Sequence, residues 1–220
     1  MAGYHPAVEE YLETILELEE SGIPPMRARI VERLGVSAPA VSETVRRLER
    51  EGYLTLDESR HLTLTPTGRD YASSIMRRHR LAERVLTDVL HVPWSQVHEE
   101  AGRLEHAISP WLEKHLVGLL GDPGTCPHGN PIPGSANAVD VGPLQPLAAV
   151  PDGDTAVVRR IDEEVEAQYA SMQALEAAGL MPGRELRVTG RDALDQHFEV
   201  AGAAVRMPEA VTRKVYVSTG

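Results

Sequence analysis

Apolar residues recur at helical spacing from the start of the chain. Val8, Tyr11, Leu12, Ile15 and Leu16 share one stripe while Glu10, Glu13 and Glu17 face away from it, which predicts an amphipathic helix over 6–20 closed by Ser21-Gly22. Pro24-Pro25 starts a second helix through Leu34, and Gly35 turns the chain. Ser37 caps a third helix running to Glu51, with Val41, Val45 and Leu48 inward. The period then drops to two. Tyr53 to Leu56 and Leu62 to Thr65 alternate apolar and polar residues around 57–61, a two-stranded wing. Helix, helix, turn, helix, wing is the order of a winged helix-turn-helix, a DNA-reading unit.

Thr65-Pro66 opens a long helix carrying Ile75, Leu81, Val85, Leu86 and Val89 to about Leu90, and further helices are predicted near 94–107 and 110–120. Residues 121–150 hold too much Pro and Gly for regular elements and read as a linker. Beyond them, 155–161, 185–189, 198–201 and 214–218 predict short strands, with one helix near 166–178 ended by Gly179, as in a small β-barrel. The predicted fold is mainly α with a β wing. Its segments are a winged helix-turn-helix at 1–65, a helical domain at 66–121, a linker at 122–150 and a β domain at 151–220.

Aromatic residues make up only 4% of the 220 residues, so the cores must be built from Leu, Val, Ile and Ala. The net charge of -11 opposes indiscriminate nucleic-acid binding, but it is unevenly spread. Residues 24–53 carry six Arg against four Glu, whereas residues 1–20 carry six Glu and no Lys or Arg. Clustered carboxylates of that kind are what a divalent cation relieves, although a solvated helix face explains any single one. One cysteine, Cys126, excludes an internal disulfide and agrees with a reducing compartment. The first residues lack a signal-peptide pattern and no apolar run approaches a membrane span, so a cytoplasmic protein is expected.

The candidate chemistry lies just after the wing. His79 and Glu83 are four residues apart and share a helix face, and His98 and Glu105 stand two turns apart on the next helix, with His106 adjacent. Imidazoles and carboxylates at that spacing are donors for a divalent metal. On the third helix, Ser37, Pro39, Ala40, Glu43 and Thr44 begin the surface that reaches base edges, while Arg27, Arg47, Arg50 and the wing residue Arg60 are placed for phosphates. A surface salt bridge is the competing reading for each Arg. His5, His61, His91, His115, His128 and His197 read as surface residues, and Cys126 with His128 does not by itself close a tetrahedral site. Two rival functions remain open: a metal-independent winged-helix regulator, and a metallohydrolase, which lacks a His-Glu-x-x-His string here.

Six local strings, in order, resemble one family. They are 25–30 with Arg27 and Arg29, Ser37-Ala38-Pro39-Ala40-Val41-Ser42, Leu64-Thr65-Pro66-Thr67-Gly68, Met76 to Arg84, Glu105-His106 and Gly129-Asn130-Pro131-Ile132-Pro133-Gly134. Together they resemble the diphtheria toxin repressor family of metal-dependent regulators over about residues 5–134, and the end resembles that family's SH3-like (FeoA-like) domain more loosely. The resemblance implies a homodimer that binds operator DNA when loaded with Fe(II) or Mn(II) and represses metal-uptake genes. Two-fold symmetry then calls for an interrupted palindrome with half-sites about 10 bp apart or a multiple of that.

Carried over by position, one ion would be held by His79, Glu83 and His98, and a second by Glu105, His106 and Glu10, with Glu13 as a further carboxylate. From the β domain, a loose alignment puts Gln168 near the first ion with Glu166 as its competitor. The family's iron-responsive branch has methionine at the position of Glu10 and cysteine at that of Gly102; its manganese branch has carboxylates at the positions of Glu10, Glu13 and Gly102. Loss of the soft donors points to Mn(II), with Fe(II) as the alternative and Co(II), Ni(II), Zn(II) or Cd(II) as surrogates. Gly102 leaves the second site weakened or reshaped. Glu43 stands where an iron repressor of the family has Gln, and it can accept from cytosine N4 but cannot donate, which shifts base preference.

Overall fold

The computed structural model describes residues 6–138, 140 and 142–219, and the chain divides into two units, Met1–Arg78 and His79–Gly220. His5 lies outside the described residues.

In the first unit, α1 (Pro6–Glu20), α2 (Arg27–Leu34) and α3 (Ala38–Arg50) precede β1 (Leu54–Leu56), β2 (Leu62–Leu64) and the start of α4 (Pro66–Asp88). The stripe of α1 packs with Ile30, Val41, Val45, Leu48, Leu54, Leu62 and Leu64 in one core, as the apolar periodicity predicts. Ser37 accepts a hydrogen bond from Ala40 N at the start of α3, so the cap begins the recognition helix where the sequence places it. The wing is antiparallel, with Leu54 opposite Leu64 and Leu56 opposite Leu62. Thr65 Oγ1 accepts from Gly68 N at the start of α4. A Cβ on Gly68 would sit 1.8 Å from the carbonyl oxygen of Tyr53, so the chain tolerates only glycine there.

In the second unit, α4 continues and is followed by a 3-10 turn (Trp94–Gln96), α5 (Val97–Leu104), a second 3-10 turn (Glu105–Ala107) and α6 (Pro110–Leu120). The β domain comprises β3 (Gln145–Pro146), β4 (Thr155–Ile161), α7 (Glu163–Glu166), α8 (Tyr169–Ala177), β5 (Glu185–Arg191), β6 (Asp195–Val200), β7 (Ala203–Pro208), α9 (Glu209–Thr212) and β8 (Val215–Ser218). Its six strands form one antiparallel sheet in the order β3-β8-β4-β5-β6-β7, filled by Val158, Ile161, Met172, Leu175, Val188, Phe198 and Val217 among others. Among the described residues, no helix is long and apolar enough to cross a membrane.

Three expectations are corrected. The helix expected near 166–178 starts later, as α8 at Tyr169, and a separate short helix, α7, precedes it, where Asp162 caps by accepting from Glu164 N. β7 escaped the pattern because it is an edge strand that turns only Val205 and Met207 inward, with Ala203 and Ala204 exposed, too short an alternation to read. The segment 121–150 is not a bare linker, since Cys126, His128, Asn130 and Ile132 are buried and Thr125 bridges Pro131.

Candidate metal centre

Helix geometry makes the first pair. His79 and Glu83 lie one turn apart on α4, with Nε2 and Oε1 separated by 3.3 Å. α5 brings His98, whose Nδ1 is 3.1 Å from His79 Nε2 and 3.3 Å from Glu83 Oε1. The three residues expected to hold one ion are therefore together, their donor atoms all within 4.8 Å of one another.

The structure adds two donors. His128 has no exposed surface, and its Nδ1 stands 3.2 Å from Glu83 Oε1 and 2.9 Å from Glu166 Oε2. Glu166 Oε2 is also 3.3 Å from His98 Nδ1. Reading His128 as a surface residue is thus corrected: the turn 126–132 folds inward, with Ile161 N donating to His128 O and Cys126 N to Asn130 O. Gln168 is exposed, donating to Glu164 O and accepting from Ser171 Oγ, so its competitor Glu166 is the residue that faces the cluster. The Cys126-x-His128 string was visible, but its spacing alone gives no reason for burial.

Ring orientation is fixed from outside. His79 Nδ1 lies 2.5 Å from Glu105 Oε2, which leaves Nε2 facing the cluster, and His128 Nε2 lies 3.1 Å from the Trp94 carbonyl, which leaves Nδ1 facing it. A carboxylate or carbonyl behind each imidazole selects the tautomer that offers a lone pair forward. The other oxygen of Glu105 is 3.2 Å from His106 Nε2, so Glu105 joins His79 to His106. Glu10 and Glu13 belong to α1 of the other unit, Glu10 exposed and Glu13 buried.

Charge fits a cation. Burial pulls the His79 pKa down, and the hydrogen bonds from Glu105 and Glu83 more than reverse this, leaving it well above the usual histidine value. Burial likewise opposes protonation of His98, but Glu166 and Glu83 push its pKa up to about 9. His128 is raised by the charges of Glu166 and Glu83 against its own burial. Glu83 is held well below the usual carboxylate range despite burial, chiefly by His128. Burial and the nearby Glu83 push the Cys126 thiol up to about 12.

Neighbouring donors in the cluster are 2.9–3.3 Å apart. Adjacent ligands about 2.1 Å from one ion stand about 3.0 Å apart in an octahedron, so these five side chains have the spacing of a coordination shell. Glu83 Oε2 is buried and has no hydrogen-bond partner among the described residues, a lone pair of the kind a metal satisfies. Glu83, Cys126 and His128 form a second, overlapping trio that would add a thiol. A cavity of about 290 Å³, lined in part by Ser95, Gly102 and Tyr169, leads to His79 and His98.

The residues expected to contact DNA lie on or near the surface of the first unit. Ser37, Pro39, Ala40 and Glu43 are exposed and Thr44 half-buried at the start of α3, while Arg50 and the wing-turn Arg60 are exposed and Arg27 and Arg47 partly so.

Comparison with known proteins follows the same division. Residues 5–62 match the iron dependent repressor N-terminal DNA binding domain, 65–134 the iron dependent repressor metal binding and dimerisation domain, and 145–219 the FeoA domain. The iron-dependent repressor IdeR of Mycobacterium tuberculosis is 46% identical over 190 residues, covering 82% of each chain. The chain belongs to the diphtheria toxin repressor family. The diphtheria toxin repressor of Corynebacterium diphtheriae is 43% identical over 194 residues, 84% of each chain. Among solved structures, a manganese-dependent transcriptional repressor in complex with manganese superposes with a TM-score of 0.86 at 34% identity, covering 97% of this chain and 100% of that one. The family consists of metal-dependent transcriptional repressors that bind DNA and dimerise; it is not an enzyme family, which sets aside the hydrolase and the metal-independent regulator.

Proposed function

We propose that this family member is a Mn(II)-activated repressor of metal-uptake genes, with one ion held by His79, Glu83 and His98 and completed by His128 and Glu166. The observation that carries this reading is the five-donor shell, all nitrogen and oxygen, at 2.9–3.3 Å spacing. Hard and borderline donors in a high-coordination shell suit Mn(II). Bound there, the ion supplies positive charge that replaces the protons on the three imidazoles. Glu105 and the Trp94 carbonyl keep His79 and His128 turned forward, and Glu83 supplies the negative charge that all three rings face.

Metal loading raises operator affinity only by as much as the ion favours the DNA-binding arrangement. Arg27, Arg47, Arg50 and Arg60 contact phosphates, and Ser37, Pro39, Ala40, Glu43 and Thr44 read bases in an interrupted palindrome bound by the dimer.

A second reading, Fe(II) as the physiological effector, draws support from the 46% identity to IdeR, an iron-dependent repressor by name. Anaerobic DNA-binding titrations of chelator-treated protein with buffered Mn(II), Fe(II), Co(II) and Zn(II) separate the two. Activation at the free Mn(II) level of the cell supports manganese; activation by Fe(II) alone overturns it. Equal DNA binding with and without metal removes metal gating altogether.

A further inference from the structure

Arg80 is the largest fully buried side chain among the described residues, with no exposed surface. It stands on α4 between His79 and Glu83, yet its guanidinium points at the β domain. Nε and Nη2 both donate to Glu163 Oε1, at 3.1 and 2.7 Å, and Nη1 donates to the Pro131 carbonyl at 2.5 Å. Glu163 and Glu166 are the two ends of α7, three residues apart and on one face. Whatever fixes Glu163 therefore fixes where Glu166 lands. Asn130, next to Pro131, donates to Glu166 Oε1 at 2.6 Å and to Ile161 O at 3.0 Å, leaving Oε2 toward His98 and His128.

A buried ion pair adds little net stability over an apolar pair of the same volume, because desolvation offsets the attraction. Stability alone does not account for a guanidinium here, whereas geometry does: its planar fork holds a carboxylate and a carbonyl in fixed directions. We propose that Arg80 is the positioning residue that sets Glu166 against the metal centre, by clamping α7 through Glu163 and the 126–132 turn through Pro131. The metal-binding helix thereby carries its own anchor for the β domain's ligand. The proposal rests on the metal reading above.

The test is Mn(II) titration calorimetry on four full-length proteins: wild type, Arg80→Met, Glu166→Ala and the double variant. Arg80→Met is expected to weaken Mn(II) binding about tenfold in the wild-type background, the low end for loss of an outer-shell partner. In the Glu166→Ala background it is expected to cost less than about twofold, because a residue acting only through Glu166 has nothing left to position. A merely structural role lowers affinity equally in both backgrounds, and that result overturns the proposal. Weakening by Glu166→Ala with none by Arg80→Met overturns the positioning role and leaves the metal centre standing. Wild-type affinity in Glu166→Ala removes Glu166 from the centre and the proposal with it. Should Arg80→Met fail to fold, Arg80→Lys, which keeps the charge but not the fork, carries the same cycle with an expected loss of about threefold.

Discussion

Glu105 Oε2 stands 2.5 Å from His79 Nδ1, and its other oxygen stands 3.2 Å from His106 Nε2. One buried carboxylate thus orients an imidazole of the centre while touching the neighbouring histidine. Replacing Glu105 by Gln keeps the shape but removes the charge that holds the His79 tautomer. We expect Mn(II) affinity at the His79 centre to fall about 10- to 100-fold, with thermal unfolding in the metal-free state showing that the fold survives. Unchanged affinity by calorimetry refutes the orienting role.

His128 is the donor that most separates this centre from the one the sequence alone outlines. His128→Ala removes a ring that touches both Glu83 and Glu166 and leaves those two buried carboxylates without their shared imidazole. Mn(II) affinity is expected to drop by at least about tenfold, the equivalent of ~1.4 kcal/mol. Equal Mn(II) binding in variant and wild type, measured by the electron paramagnetic resonance of the free ion, contradicts this.

The missed donors show what was legible and what was not. The winged helix was readable because caps and periodicity are local: Ser37 and Gly35 act within a few residues, and the wing pairs neighbouring segments, Leu54 with Leu64. His79, Glu83 and His98 were readable because two neighbouring helices supply them. His128 was not, since a Pro- and Gly-rich segment carries no period and its burial depends on a backbone bond from Ile161, 33 positions on. Glu166 stands in the sequence only as the competitor of Gln168, because a loose alignment does not fix the register; the Asp162 cap places Glu163 and Glu166 on one face of α7.

Protonation gives a pH signature. The His98 pKa of about 9 exceeds its unfolded value of about 6.5, so its contribution to metal-free stability is fully present below about pH 6.5 and is lost as pH rises through about 9. His79 and His128 shift in the same direction. The metal-free protein is therefore expected to melt at lower temperature at pH 9.5 than at pH 7. Mn(II) must displace these protons, so its affinity should rise between pH 6 and 8, by about tenfold per unit for each proton released. A flat affinity across that range contradicts the protonated cluster.

Gly102 lies in α5, where a Cβ would meet nothing within 4 Å. Gly102→Ala should stabilise the metal-free protein by about 0.5–1 kcal/mol through helix propensity alone. Denaturant melts check this, and a destabilised variant would show that the glycine backbone is needed.

Arg60 adopts a left-handed conformation, φ 65°, at the tip of the wing. Arg60→Gly keeps that turn and removes the guanidinium together with its stem. Operator affinity should weaken uniformly across sequences, and the salt slope of log K should shrink by about 1. Loss of sequence preference at one base pair instead would make Arg60 a base reader.

The central claim is that His79, Glu83, His98, His128 and Glu166 enclose one divalent ion. Diffraction from a Mn(II)-loaded crystal at the manganese edge tests it most directly. The account predicts an anomalous peak about 2.2 Å from His79 Nε2, Glu83 Oε1, His98 Nδ1, His128 Nδ1 and Glu166 Oε2; Mn(II)-saturated protein with no peak among these atoms contradicts it.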